Sequence, residues 1–310
     1  MRDYIKVFAP ATVANVTCGF DIMGFAVDNP GDEVIMQLSN TPGIRITKIT
    51  GDMGRLPLDP TKNTVGVSVY SFLKAINSNQ GVEIILNKKM PLGSGLGSSA
   101  ASAVAGVFAI NQLLKTNVPP KELIAFAMEG ERIACGAAHA DNVAPALLGG
   151  FALIRGRDPL DVIKILTPSN LYCSIIHPDL EVSTKDARMI LRPMVKLEDA
   201  VTQWGNVAGL IAGLMLSDYA LISRSMHDVI IEPARSILIP GFTQVKQQAL
   251  ENGALGVGIS GSGPSIFALS NGIDIAHKVA QAMQSSFDQL KIGHQIYISK
   301  INNTGVKIID

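Results

Sequence analysis

The chain reads as an α+β protein of two domains, each a sheet covered by helices. Strand-like and helix-like segments alternate along the first half, and the alternation starts again near residue 170. The stretch 155–170 between the two series is a soft boundary, which places the expected domains at residues 1–165 and 166–310. Hydrophobic residues make up 47% of the 310 positions and charged residues 17%, so a large core is available and disorder is not expected.

Taken in order, Tyr4 to Phe8, Glu33 to Leu38 and Ile44 to Thr50 carry β-branched or alternating apolar residues and predict strands. Asn63 caps a helix expected to run to about Asn77 on a partly periodic apolar pattern. A strand from Val82 to Asn87 leads into a glycine loop, and a helix capped by a serine runs from Ser98 to about Lys115. Pro119 and Pro120 open a helix from Lys121 to about Ala127. Gly149 and Gly150 break the chain before a strand, Phe151 to Ile154. In the second half, Tyr172 to Ile176 predicts a strand and Thr184 to Leu191 a short helix. Further helices are expected over Leu197 to Leu216, Tyr219 to Met226 and Phe242 to Glu251. Gly256 to Ser260 and Ser265 to Ser270 predict two buried strands joined by a Ser-Gly-Ser-Gly-Pro turn. A helix over Ile273 to Phe287 and strands over His294 to Ile301 and Val306 to Ile309 complete the pattern.

Composition excludes several function classes. Lys and Arg total 26, as do Asp and Glu, so the net charge is zero and the basic footprint of a nucleic-acid binder is missing. Aromatic residues at 5% are too few for a base-stacking platform. Cys18, Cys135 and Cys173 are far apart and form no C-x-x-C pair, which indicates neither a zinc site nor a disulfide framework. A reduced, cytoplasmic setting is expected. Met1 to Lys6 lacks the apolar stretch of a signal peptide. The longest apolar runs, such as Val207 to Leu216, fall short of the ~20 residues a membrane span needs. No membrane partner is expected.

Four polar clusters sit where core packing does not require them. In the first, Pro91 to Ala101, Gly93, Gly95 and Gly97 alternate before Ser98 and Ser99. A glycine loop entering a helix aims free N–H groups and the positive end of the helix dipole at one spot, which suits phosphate. No lysine follows the last glycine, so the common P-loop is ruled out, and the spacing is not that of the dinucleotide fingerprint. The second cluster holds Asn15 and Asp21, which fit turn or cap positions equally well. The third is Glu129-Gly130-Glu131 with His139, Asp141 and Asn142, which taken alone fits a helix end and the cap of the next helix. The fourth, Gly256 to Ser265, is too rich in glycine for a simple bulge and implies close approach to another segment or a ligand. A phosphate loop, carboxylates able to hold a metal and a second glycine turn together indicate phosphoryl transfer, in which catalysis is mostly positioning and charge neutralisation.

These clusters, in their order along the chain, resemble the motifs of the GHMP small-molecule kinases. Pro91 to Ala101 matches the signature P-x-x-x-G-L-G-S-S-A-A at every fixed position, and Ser260 to Pro264 matches the C-terminal family turn. Ala9 to Asn15 followed by Gly19-Phe20-Asp21 resembles the homoserine-phosphorylating branch. So do His139 to Pro145, Ser183 to Arg188 and Ile231 to Arg235. The early G-E-H element of galactokinases and mevalonate kinases is missing. Thr17-Cys18 stands where that branch often has glycine, which bears on the conformation of the turn.

The resemblance implies a ribosomal-protein-S5-domain-2-like first domain and a ferredoxin-like second, with ATP and substrate between them. It also implies transfer of phosphate from ATP to homoserine, with Mg2+, in a homodimer. The nucleotide-binding set is then Pro91, Leu92, Gly93, Ser94, Gly95, Leu96, Gly97, Ser98, Ser99, Ala100, Ala101, Thr184, Gly261, Ser262 and Gly263. Ser99 and Glu131 would hold the metal. Arg188 and Arg235 suit the substrate carboxylate, since a guanidinium offers a planar fork of donors. Asp21 and Asp141 are the candidates for the ammonium, and Asn15 and His139 would orient the hydroxyl or an aspartate. Asp141 also falls where some relatives place a catalytic base. If it binds the ammonium it makes a poor base, and the hydroxyl proton leaves through the phosphate. Two alternatives are a family member acting on another small alcohol and an inactive nucleotide or metabolite sensor. Retention of Ser99 and Glu131 argues against the sensor.

Overall fold

The structure is a computed structural model that describes residues 4–136 and 139–309. Its first part runs β1 (Tyr4–Ala14), β2 (Met23–Ser39), β3 (Ile44–Thr50), α1 (Thr64–Ala75), β4 (Gly81–Asn87), α2 (Ser98–Leu114), α3 (Pro120–Cys135), α4 (Ala140–Leu148), β5 (Phe151–Arg157) and β6 (Leu160–Ile165). The second runs β7 (Leu171–Pro178), α5 (Thr184–Met189), α6 (Leu197–Leu216), α7 (Tyr219–Ser225), α8 (Glu232–Arg235), α9 (Phe242–Glu251), β8 (Gly256–Ile259), β9 (Ile266–Asn271), α10 (Ile273–Gln289), β10 (His294–Lys300) and β11 (Lys307–Ile308).

Two sheets form. In the larger, the order is β11-β1-β2-β4-β3, and β5 pairs with both β2 and β6. The length of β2 makes this possible: Glu33–Ser39 pairs with β4, while Met23–Phe25 pairs with β5. The smaller sheet has the order β10-β7-β9-β8. One core spans both. Phe25 stacks on Phe151 at 4.6 Å and meets Phe267 of the second sheet edge-on at 5.7 Å. The α+β class expected from the sequence is the one observed.

Several boundaries differ, each for a local reason. The strand expected to stop at Phe8 continues to Ala14, because a register shift between Pro10 and Thr12 absorbs the proline. Helix α3, expected to end at Ala127, continues to Cys135. Within this added stretch, Gly130 marks close packing on α1. A Cβ there would lie 2.3 Å from Ser68 Oγ and 2.6 Å from the Thr64 carbonyl oxygen. Strand β6 and the one-turn α8 carry too short a pattern to be read. No serine caps α2; its N-cap is Gly97, in the left-handed region.

The Ser98 hydroxyl is used elsewhere, in a buried network beneath the glycine loop. Lys88 at the end of β4 pairs with Asp32 of β2, and their side chains are 2% and 0% exposed. Lys88 Nζ also donates to the Ser98 carbonyl oxygen at 2.8 Å and to Ser102 Oγ at 2.7 Å. Asp32 accepts from Ser98 Oγ at 2.7 Å and from the backbone N–H groups of Lys89 and Met90 at 2.7 and 3.2 Å. The pair thereby ties the end of a strand to the first turn of α2. Replacing Lys88 by Met leaves a buried carboxylate without its cation and is expected to cost about 3–5 kcal/mol in urea unfolding. The double variant Lys88→Met/Asp32→Asn is expected to recover part of that loss; a loss under about 1 kcal/mol for the single variant would deny the network its structural weight.

Candidate active site

The two glycine turns meet backbone to backbone. Gly93, Gly95 and Gly97 all have positive φ, between +68° and +78°. A Cβ on Gly95 would lie 2.4 Å from the Ser260 carbonyl oxygen, and one on Gly97 would lie 2.1 Å from Thr12 Oγ1. Ser260 Oγ donates to the Gly95 carbonyl oxygen at 2.7 Å, and Ser265 Oγ to that of Ser94 at 2.6 Å. On the other side, the Thr12 N–H donates to Leu96 and Thr12 Oγ1 donates to Asn142 Oδ1. Because no side chain caps α2, its first N–H groups open onto the cleft, as an anion site requires.

The acidic end begins at the turn after β1. Asn15, Val16, Thr17 and Asp21 all have positive φ, between +41° and +73°. Backbone strain of this kind persists only where the surroundings enforce it. Asn15 Oδ1 accepts the Asp21 N–H at 3.0 Å, while Asn15 Nδ2 donates to the Gly261 carbonyl oxygen at 2.7 Å. Thr17 therefore holds a left-handed position that suits glycine better. Its neighbour Cys18 is clamped by Gln203 of α6, which donates to the Cys18 carbonyl oxygen at 3.0 Å. Asp21 is gripped by Arg188, whose nitrogens lie 2.8 and 3.1 Å from the two carboxylate oxygens. Arg157 stands at 3.3 Å and His139 at 3.9 Å. Burial pushes the Asp21 carboxyl up, but the hydrogen bonds and charge of Arg188 outweigh it and hold the group below its ordinary range. Burial pushes the His139 imidazole down, although Asp21 opposes this. Arg235 is buried, with Nε and Nη1 spent on the carbonyl oxygens of Ala187 and Gly261, and it stacks over Phe20.

Two carboxylates in the same cleft are not satisfied. Glu131 and Asp141 are each 4% exposed, and Glu131 Oε1 and Asp141 Oδ1 have no hydrogen-bond partner. Burial raises both to about 7, and in Asp141 the nearby charge of Asp21 adds to the rise. Ser99 Oγ donates to the other oxygen of Glu131 at 3.1 Å. A serine hydroxyl beside a buried carboxylate with a spare oxygen fits a hard divalent cation that takes the rest of its ligands from phosphate and water. Among the described residues no group of three or more His, Cys, Asp or Glu gathers as a dedicated metal cage.

One cleft of about 390 Å3 brings together Asn15, Asp21, Leu92–Ser99, Glu131, His139, Asp141, Thr184, Arg188, Arg235, Gly261 and Ser262. Pro91, Ala100, Ala101 and Gly263, also expected at the nucleotide, do not line it. Ala100 and Ala101 are wholly buried and pack α2 onto the core. Thr184 Oγ1 lies 3.2 Å from Ser262 Oγ, across the mouth. The sequence reading missed Lys88, Arg55 and Asn63, which also line the cleft, and Arg157. A lysine at a strand end and an arginine in a hairpin look like solvated charges, and only pairing across the fold shows otherwise.

The chain is similar to known proteins over most of its length. The family model for the GHMP kinase N-terminal domain matches residues 63–150, and that for the GHMP kinase C-terminal region matches 210–289. The chain is 52% identical to the homoserine kinase of Chlorobium phaeobacteroides strain BS1, over 97% of this chain and 98% of that one. It is 36% identical to the homoserine kinase of Xylella fastidiosa strain M12, over 98% and 94%. The crystal structure of homoserine kinase from Cytophaga hutchinsonii superposes with a TM-score of 0.97 at 63% identity, covering 100% of this chain and 98% of that one. The L. major mevalonate kinase, 16% identical with a TM-score of 0.73, shares the fold.

The raised Asp141 carboxyl sets a pH dependence. A carboxyl that ionises at about 7 when folded and near 4 when unfolded supports the fold fully below pH ~4, and that support is lost as pH rises to about 7. In protein free of nucleotide and metal, the melting temperature is expected to fall between pH 5 and pH 7.5 more steeply than in Asp141→Asn, which cannot ionise there. Parallel curves for the two proteins would show that Asp141 is not held protonated.

Proposed function

We infer that this chain, which belongs to the GHMP kinase family, transfers the γ-phosphoryl group of ATP to the hydroxyl of L-homoserine and yields O-phospho-L-homoserine, an intermediate of threonine biosynthesis. Kinship to homoserine kinases over nearly the full length of both chains supports the activity. The single observation that carries the assignment to this cleft is its two-ended chemistry. At one end a phosphate cradle adjoins Ser99 and Glu131. At the other, two arginines and an unpartnered aspartate suit an amino acid.

The residues divide the work accordingly. The triphosphate lies along the glycine loop against the N-terminus of α2, where backbone N–H groups and the dipole meet its charge. Ser99 and Glu131 would hold Mg2+, which would supply charge neutralisation to the transferring phosphate. Thr184, Gly261 and Ser262 close the phosphate end from the opposite side. At the other end, Arg235 and Arg188 receive the substrate carboxylate. Phe20 packs beneath both guanidinium groups. Arg188 already holds Asp21, so Asp21 orients the arginine, and Asp141 with its spare oxygen takes the ammonium. A cation there favours the ionised form of Asp141 and offsets its burial. Asn15 and His139 fix the strained turn and the Asp21 carboxylate. No group is left as a dedicated base, and the hydroxyl proton departs through the transferred phosphate. Catalysis then rests on positioning and charge stabilisation.

The same reading takes residues 1–165 and 166–310 as the two domains, although β11 returns to pair with β1. It places the enzyme in the cytoplasm as a homodimer. Among the described residues no helix is long and apolar enough to cross a membrane.

Purified protein is expected to release ADP only when ATP, magnesium and homoserine are all present. Equal turnover with mevalonate or galactose, or none with any small alcohol, would sink the assignment. For Asp141→Asn, an ammonium-binding role predicts a KM for homoserine raised at least ~10-fold, with kcat kept within about the same factor. A kcat lowered ~10²–10⁴-fold at unchanged KM would make Asp141 a base instead.

A further inference from the structure

Helix α6 carries its polar residues, Glu198, Asp199, Thr202, Gln203 and Asn206, in its first half. Its inward side buries Gln203, Leu210, Gly213 and Leu214. On the opposite side Leu197, Val201, Trp204, Ala208 and Met215 fall within a narrow arc of the helix and face solvent. Leu197 is 73% exposed, Val201 50%, Trp204 56% and Met215 61%; Leu216 and Met194 beside them are 73% and 82% exposed. No charged residue occurs between Asp199 and Asp218. An apolar stripe on a helix ordinarily faces a core, yet this one lies in water.

We propose that this stripe is the surface on which the chain pairs with a second copy of itself. The two α6 helices cross antiparallel about a two-fold axis at Ala208. The proposal rests on the homodimer in the reading above and names its interface. Taking ~150–250 Å2 for each large apolar side chain, the exposed fractions of these six residues leave roughly 600–1,000 Å2 of apolar surface. This is close to the ~800 Å2 per partner of a standard interface and more than a monomer ordinarily shows. The stripe is also self-complementary. With Ala208 on the axis, Trp204 of one copy faces Ala212 of the partner subunit, and Val201 faces Met215 of the partner subunit, so large groups meet small ones or fit end to end. Antiparallel crossing also sets the opposite ends of the two helix dipoles beside one another. None of these residues lines the catalytic cleft, so pairing leaves it open.

Sedimentation velocity on the full chain is expected to show a species of twice the chain mass. Val201→Glu/Trp204→Glu is expected to sediment at the chain mass with phosphotransfer turnover unchanged. Trp204 is the sole tryptophan, so its emission should shift to the red as wild-type protein is diluted through dissociation. Ala208→Cys, which adds no charge, should form a disulfide-linked dimer under mild oxidation that wild-type protein treated alike does not form. A dimer that persists in the glutamate variant and fails to cross-link through position 208 overturns this surface and leaves the homodimer standing. A wild-type chain that stays monomeric at its highest soluble concentration overturns both.

Discussion

The buried pairing of Lys88 with Asp32 is the constraint on which the phosphate end depends. A lone charge at either position would be costly to bury, and together with Ser98, Ser102 and two backbone N–H groups the pair is fully satisfied. Its effect is mechanical. It joins the exit of β4 to the first turn of α2, so the glycine loop between them is held at both ends. Ser99, one residue along, is thereby presented to Glu131. The P-loop of other nucleotide-binding proteins sends its lysine to the phosphates. Here the lysine is spent under the loop, and on the proposed function the helix terminus is left to meet the charge.

The second end of the site is held by strain as well as by charge. The turn from Asn15 to Asp21 carries left-handed residues that a free chain would avoid, and contacts from Gly261, Arg188 and Gln203 keep it in place. Those contacts come from several distant segments. The substrate end is thus assembled only when the second sheet and its helices have docked on the first. The shared core around Phe25, Phe151 and Phe267 achieves that docking.

Much of this was legible in the sequence because it depends on local pattern. The glycine loop, the helix after it and the second glycine turn follow from spacing alone. Asn15, Asp21, His139, Asp141, Arg188 and Arg235 were found through their motifs, and all of them line one cleft. The illegible parts depend on partners far apart in the chain. Nothing near Lys88 announces Asp32, and nothing near Arg157 announces Asp21. Helix α3 runs past its expected end through Gly130, although a glycine within a helix usually weakens it. Only the proximity of α1 shows that Gly130 is there to make room. The serine expected to cap α2 failed for a related reason: a buried aspartate competed for its hydroxyl.

The meeting of the two glycine turns has a consequence for how such a protein can change. On the proposed function, recognition at the phosphate end is written largely in main-chain atoms, which a substitution cannot rewrite without moving the backbone. At the amino-acid end it is written in side chains, which single substitutions replace one at a time. A lineage built on this scaffold can therefore explore new acceptor alcohols at Asp141, Arg188 or Arg235 while its hold on the nucleotide stays fixed. Divergence in substrate with constancy of phosphate donor is the course this architecture makes easiest.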